Sequence, residues 1–249
     1  MKTALVTRPS GQEGALVAGV EALGLTATHL ACIAIEPLPI VGLADAIGHH
    51  DWVLFTSRNA VAAAHAIMPL PWWHGLSGTS SVPSPVHAIG GATADALRAH
   101  GVQPAEIADG QWNSEAFLER VAQRQPRSVL LIKGEGGRGL IEAELARRGI
   151  RAESVAVYRR TLPELPVRAV QDALGHPRPD VILIGSNETL VNLMTLADGA
   201  GVTVPDVPMI VNSQRCMALA RDCGFSKAIG VAEPPGDRGQ LALLGQRAG

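Results

Sequence analysis

The strongest constraint on the fold is that the chain repeats itself. Asp180-Val181-Ile182-Leu183-Ile184-Gly185-Ser186-Asn187 matches Asp51-Trp52-Val53-Leu54-Phe55-Thr56-Ser57-Arg58 in residue type, position by position. Ser128-Val129-Leu130-Leu131-Ile132 restarts the order that Thr3-Ala4-Leu5-Val6-Thr7 opens. A second strand, read at Ala31–Ile35, has its echo at Ser154–Tyr158. Val86–Ile89 is answered by Val207–Val211, and Ala105–Ala108 by Lys227–Ala232. A period of about 125 residues is far too long for a solenoid unit and predicts two similar bodies.

Between these strands run helical patterns. Leu16, Val17, Val20 and Leu23 fall on one face of a 3.6-residue period, stopped by Gly24. Val61, Ala64 and Ile67 mark another helix, Phe117, Leu118 and Val121 a third behind Ser114, and Leu140, Ile141 and Leu145 a fourth that stops at Gly149. Strand, helix, strand without hairpin signals means right-handed crossovers and parallel sheets. The expected class is α/β, with two flavodoxin-like parallel-sheet lobes. Two proline joints, 36–40 and 161–166, each follow the second strand of a half. Proline cannot donate to a ladder, so both read as extended linkers in a double crossing. The lobes are then expected at 1–36 plus 166–249, and at 40–161.

Composition narrows the function classes. Apolar residues make up 47% of the chain and charged ones 18%, which excludes a disordered chain. The net charge of −2 gives no global field for nucleic acid or an anionic membrane. No apolar run approaches the roughly 20 residues of a bilayer span, and the opening residues do not read as a signal segment. Cys32, Cys216 and Cys223 are odd in number and lack metal or redox spacing, so a cytoplasmic location is expected. The histidines are scattered, without ligand spacing, and no metal site is expected. Trp72-Trp73, in the Pro/Gly loop 69–85, reads as a hydrophobic plug.

In open parallel sheets, ligands bind beyond the carboxyl ends of the strands, where helix N-termini offer free N–H groups. Six turns have that place: Arg8-Pro9-Ser10-Gly11, Ser57-Arg58-Asn59, Gly90-Gly91-Ala92-Thr93, Lys133-Gly134-Glu135-Gly136-Gly137-Arg138, Gly185-Ser186-Asn187-Glu188 and Asn212-Ser213-Gln214-Arg215. Each alone reads as well as a helix cap. Together, facing one cleft, they predict an anion site. Tyr158, the only tyrosine, ends a strand beside Arg159 and Arg160. It reads either as a packed aromatic or as a proton donor.

With these residues in view, the chain resembles the uroporphyrinogen-III synthase family. Val6-Thr7-Arg8-Pro9, Leu54 to Val61, Ile89 to Ala94, Asn113-Ser114-Glu115, Leu131 to Arg159, and Ser186-Asn187-Glu188-Thr189 with Asn192-Leu193 carry the resemblance in order. The resemblance implies a cyclising lyase without cofactor. It converts the linear tetrapyrrole hydroxymethylbilane to uroporphyrinogen III with inversion of the last pyrrole, in a cleft between two lobes. It implies that Tyr158 assists loss of hydroxide. It places Ser57, Arg58, Thr93, Ser186 and Asn187 along the cleft, beside Arg8, Asn59, Gly91, Lys133, Gly134, Arg138, Ser213 and Arg215 from the turns. Some members carry a Gly-Pro-Thr-Thr turn where this chain has Asn212-Ser213-Gln214-Arg215, so no threonine role carries over there. The partners implied are the bilane and a preceding pathway enzyme that hands it over, with the chain a monomer.

Two other classes compete. One is a two-lobed module that closes on a small anion without chemistry; such modules are commonly exported, and no export signal is read here. The other is an NADP-dependent reductase at Gly134–Gly139, which fits G-x-G-x-x-G after a strand. Against it, Tyr158-Arg159-Arg160 stands where a ribose-binding acid belongs.

Overall fold

The structure is a computed structural model that describes residues 2–68, 85–105, 114–137 and 139–248. In chain order the elements open with β1 (Thr3–Val6), α1 (Gly14–Ala22), β2 (Thr26–His29), β3 (Ala34–Pro37), α2 (Leu43–Gly48), β4 (Trp52–Phe55) and α3 (Arg58–Ile67). They continue with β5 (Val86–Ala88), α4 (Gly91–Ala99), α5 (Ser114–Arg124), β6 (Ser128–Gly134), α6 (Leu140–Arg147) and β7 (Arg151–Thr161). Last come α7 (Val167–Gly175), β8 (Val181–Ile184), α8 (Asn187–Gly199), β9 (Met209–Val211), α9 (Gln214–Asp222), β10 (Ile229–Val231) and α10 (Asp237–Ala248). The chain divides into two compact units. Unit 1 is Met1–Ala34 with Thr161–Gly249, and unit 2 is Ile35–Arg160.

Unit 1 holds a five-stranded sheet in the order β10-β9-β8-β1-β2, all its pairs parallel. Both faces of its central strands are buried, as helices on either side of a parallel sheet require. Leu5, Ile182, Ile184 and Val211 enter one apolar cluster, while Ala4, Val6, Val181, Leu183 and Ile210 enter the other. Asp180 joins the two parts of this unit at the amino end of the sheet, its Oδ2 accepting from the Lys2 N–H at 2.6 Å and the Thr3 N–H at 3.0 Å. At the carboxyl end Gln240, 1% exposed, donates to the Ile184 carbonyl at 3.0 Å and to that of Ile210 at 3.3 Å.

Unit 2 holds the order β3-β7-β6-β4-β5, with β4–β5, β4–β6 and β6–β7 parallel. Val53, Phe55, Leu130 and Ile132 point to one cluster, and Trp52, Leu54, Val129 and Leu131 to the other. Asp51 does here what Asp180 does in unit 1: its Oδ2 accepts from the Arg127 N–H at 2.7 Å, beside the start of β6. β3 adds an edge strand. It is held to β7 by the Leu38 N–H on the Val157 carbonyl at 2.9 Å and by the Arg159–Glu36 ion pair at 2.8 Å.

One expectation needs correction. The strand beside β1 is Thr26–His29, not 31–35. Leu30, Ala31, Cys32 and Ile33 are buried connecting chain, because an apolar run reports burial and not extension, whereas the edge strand Thr26–His29 carries no apolar run. The division between the units falls at Ala34/Ile35 and Arg160/Thr161, inside β3 and at the end of β7. The proline joints lie just beyond: Pro37 ends β3 at the sheet edge, and Pro166 caps α7. The strand expected at 105–108 and the Trp72-Trp73 plug fall on or run into residues outside those described.

Candidate active site

The six turns divide three and three. In unit 1 they follow β1, β8 and β9, which are adjacent and parallel, so all three open on one edge of that sheet. In unit 2 they follow β4, β5 and β6, again adjacent and parallel. In three of the turns a serine caps the following helix in nearly the same conformation. Ser57 (φ −161°), Ser186 (φ −160°) and Ser213 (φ −161°) accept from the N–H of Ala60, Thr189 and Cys216 respectively. Each cap takes up one lone pair and leaves a hydroxyl proton to spend elsewhere.

Tyr158 sits where β7 slips against β6. The register pairs Lys133 with Ala156 but Gly134 with Tyr158, one residue out of step. The shift breaks the alternation of the strand, so Val157 and Tyr158, neighbours in sequence, are both buried in one apolar cluster. The phenol ring lies over Gly134. A Cβ built there would stand 2.6 Å from Cζ and 2.8 Å from the hydroxyl oxygen, so any larger residue must displace the ring. Gly134 is therefore the seat of the tyrosine, a role the spacing of a glycine motif does not reveal. The hydroxyl stands 3.1 Å from Ser57 Oγ. Tyr158, 5% exposed, lines a hollow of about 370 Å³ with Ser57, Ser114, Lys133, the glycine turn and Arg160.

The cations of the turns differ. Arg8 is ion-paired with Asp237, the first residue of α10, so the guanidinium expected to be open is half spent. Lys133 Nζ lies 2.6 Å from Glu142 Oε1, which also accepts from Ser154 Oγ at 3.0 Å. Burial pushes the Glu142 carboxyl up, but the hydrogen bonds from Lys133, its own backbone N–H and Ser154 hold it below the usual carboxylate range. Arg58, half-buried, and Arg215, exposed, pair with no carboxylate among the described residues. Arg159, expected beside the phenol, is engaged with Glu36. Asn59, Asn187 and Ser186 are half-buried, and Gly91 and Ser213 are exposed, at their helix starts. Thr93 is buried at 4% exposure within the first turn of α4. Arg138 lies outside the described residues.

Partners the sequence reading did not supply are Asp237, Glu142, Ser154 and Gln240. Glu142 is nine residues from Lys133, within reach of a turn that folds back, and was the one open to detection. Among the described residues no group of three or more His, Cys, Asp or Glu is placed to hold a metal ion, and no helix is long and apolar enough to cross a membrane. Burial pushes the Cys32 thiol up to about 12 and that of Cys216 up to about 11, so neither is a thiolate at neutral pH.

Comparison with known proteins gives one answer. The family model described as uroporphyrinogen-III synthase HemD matches residues 14–238. The uroporphyrinogen-III synthase of Synechococcus elongatus is 29% identical over 212 residues, covering 81% of this chain and 77% of that protein. That of Escherichia coli is 27% identical over 238 residues, covering 89% and 91%. Among solved structures, the Helicobacter pylori enzyme aligns with a TM-score of 0.65 at 16% identity over 98% of each chain. A mutant Thermus thermophilus enzyme gives 0.54 at 20% identity, covering 100% and 98%. Both structures support the fold.

Proposed function

The chain belongs to the uroporphyrinogen-III synthase family, and from that premise we propose how its residues serve a cyclising lyase of tetrapyrrole biosynthesis. The substrate is hydroxymethylbilane. Its hydroxymethyl carbon loses oxygen as water, leaving an azafulvenium cation. The last pyrrole attacks through its substituted carbon, the spiro intermediate fragments, and the inverted ring recloses and gives up a proton. In water the bilane closes without inversion, so the protein's task is to hold the chain in the geometry that inverts.

Tyr158 is the proposed acid. Its hydroxyl donates to the departing oxygen, and the proton released when the inverted ring regains aromaticity returns to it. The observation that carries this is the phenol's placement: seated on Gly134, buried, and directed at Ser57 on the wall of the hollow. The turns supply carboxylate binding, with Arg58, Asn59, Gly91, Lys133 and Arg138 from unit 2, and Arg8, Ser186, Asn187, Ser213 and Arg215 from unit 1. Lys133 keeps N–H donors beyond the one given to Glu142, and Ser213 keeps its O–H beyond its cap, while the Ser186 hydroxyl is engaged with that of Thr189. The enzyme is proposed to work as a cytoplasmic monomer that receives the bilane from the preceding enzyme.

The family match favours neither the reductase nor the binding module. The test is incubation with freshly made hydroxymethylbilane and chromatography that resolves the isomers. Isomer III is expected. Isomer I alone, at the buffer's own rate, refutes the assignment. Tyr158→Phe is expected to keep its melting temperature and lose turnover by about tenfold or more.

A further inference from the structure

We infer that Ser57 is a positioning residue for Tyr158: its hydroxyl donates to the phenol oxygen, turning the phenol proton toward substrate and holding the charge left after that proton is given up. The inference rests on the reading of Tyr158 as the acid.

The hydrogen-bond inventory of Ser57 leads to this. A serine hydroxyl has one proton and two lone pairs. The Ala60 N–H, 3.1 Å away, takes a lone pair of Ser57 Oγ to cap α3. Among the described residues, the other polar contact of Oγ is the Tyr158 oxygen at 3.1 Å. If Ser57 accepts from the phenol, the phenol proton points away from any substrate. If Ser57 donates, its own proton is satisfied and the phenol proton is free for the hollow. Once transferred, that proton leaves a phenolate, and the same bond becomes charge-assisted and about twice as strong. It is then stronger in the transition state than before it, which is what lowers a barrier. Ser57 also stands at the N-terminus of α3, whose dipole favours the charge.

The matching serine of unit 1 shows why this is not a routine cap. Ser186 accepts from the Thr189 N–H at 3.2 Å and lies 2.9 Å from the Thr189 hydroxyl, so its second bond is closed within its own turn. Three residues after Ser57 stands Ala60, which has no hydroxyl, and the bond reaches across to β7 instead.

The experiment is a double-mutant cycle on hydroxymethylbilane turnover with Ser57→Ala, Tyr158→Phe and the pair, plus Ser57→Thr and Ser57→Asp. Ser57→Ala is expected to lower kcat about tenfold with KM little changed, and to add nothing once Tyr158→Phe is present. Ser57→Thr, which keeps cap and donor, restores turnover. Ser57→Asp, which keeps the cap without the donor, does not. Should Ser57→Ala cost the same with and without Tyr158→Phe, or Ser57→Asp turn over normally, the serine is only a cap and the inference falls while the acid role of Tyr158 stands. Full turnover in Tyr158→Phe overturns that role, and this inference with it.

Discussion

His87 makes unit 2 sensitive to acid in a way that can be calculated. It lies in β5 with 0% exposure, its ring centroid 4.3 Å from Trp52 and 5.6 Å from Phe117, and neither ring nitrogen has a hydrogen-bond partner among the described residues. Burial, and after it the charge of Arg120, pushes its pKa from 6.5 down to about 3. The folded chain therefore stays unprotonated at His87 where the unfolded chain takes up a proton. Stability is complete above pH 6.5 and is lost as pH falls from 6.5 toward 3, at about 1.4 kcal/mol per pH unit within that window. Between pH 6.5 and pH 5 the loss due to this residue is about 2 kcal/mol. His87→Leu removes the base at similar volume. It should lose about 2 kcal/mol less than the parent over the same interval. Urea unfolding followed by tryptophan fluorescence reads the right unit, because all four tryptophans fall within 35–160. Parallel losses in parent and variant from pH 6.5 to 5 would refute the reasoning.

Two further outcomes follow from the packing. Gly134→Ala forces the Tyr158 ring off its seat and should reduce turnover at least as much as Tyr158→Phe, with about 1–3 kcal/mol of destabilisation; normal turnover would show that the ring is not held there for catalysis. Gln240→Leu leaves the Ile184 and Ile210 carbonyls without their buried donor and should destabilise unit 1 by about 1–3 kcal/mol. Urea unfolding followed by circular dichroism reads the loss, and an unchanged midpoint would refute the reasoning.

What could be read from residues alone was whatever burial writes locally. β4, β6 and β8 are apolar on both faces, and their two-sided burial is visible as unbroken runs. Thr26–His29 is not legible as a strand because an edge strand need not be apolar, and the apolar run after it carries the stronger signal. α7 had an available signal in Pro166 followed by Val170, Ala173 and Leu174 at helical spacing. The site was legible as a set of residue types and not as a set of bonds. Tyr158 and Ser57 are 101 residues apart, and Arg8 and Asp237 are 229 apart, so only the crossing of strands brings them together. Lys133 read as an open cation because its counter-ion Glu142 belongs to the next helix. Capping is the plain alternative to binding at Ser57, Ser186 and Ser213, and the hydroxyls do cap.

The interrupted course of the chain through unit 1 has a consequence during synthesis. Thr3 and Asp180, joined by one hydrogen bond, are 177 residues apart, and β1 lies between β2 and β8. On the ribosome the first βαβ piece emerges with one flank of its inner strand bare, and it must wait while residues 35–160 are made and settle into a sheet of their own. Throughout that interval Ala4, Leu5 and Val6 present an unpaired apolar margin, the kind of surface that invites mispairing until β8 arrives to cover it.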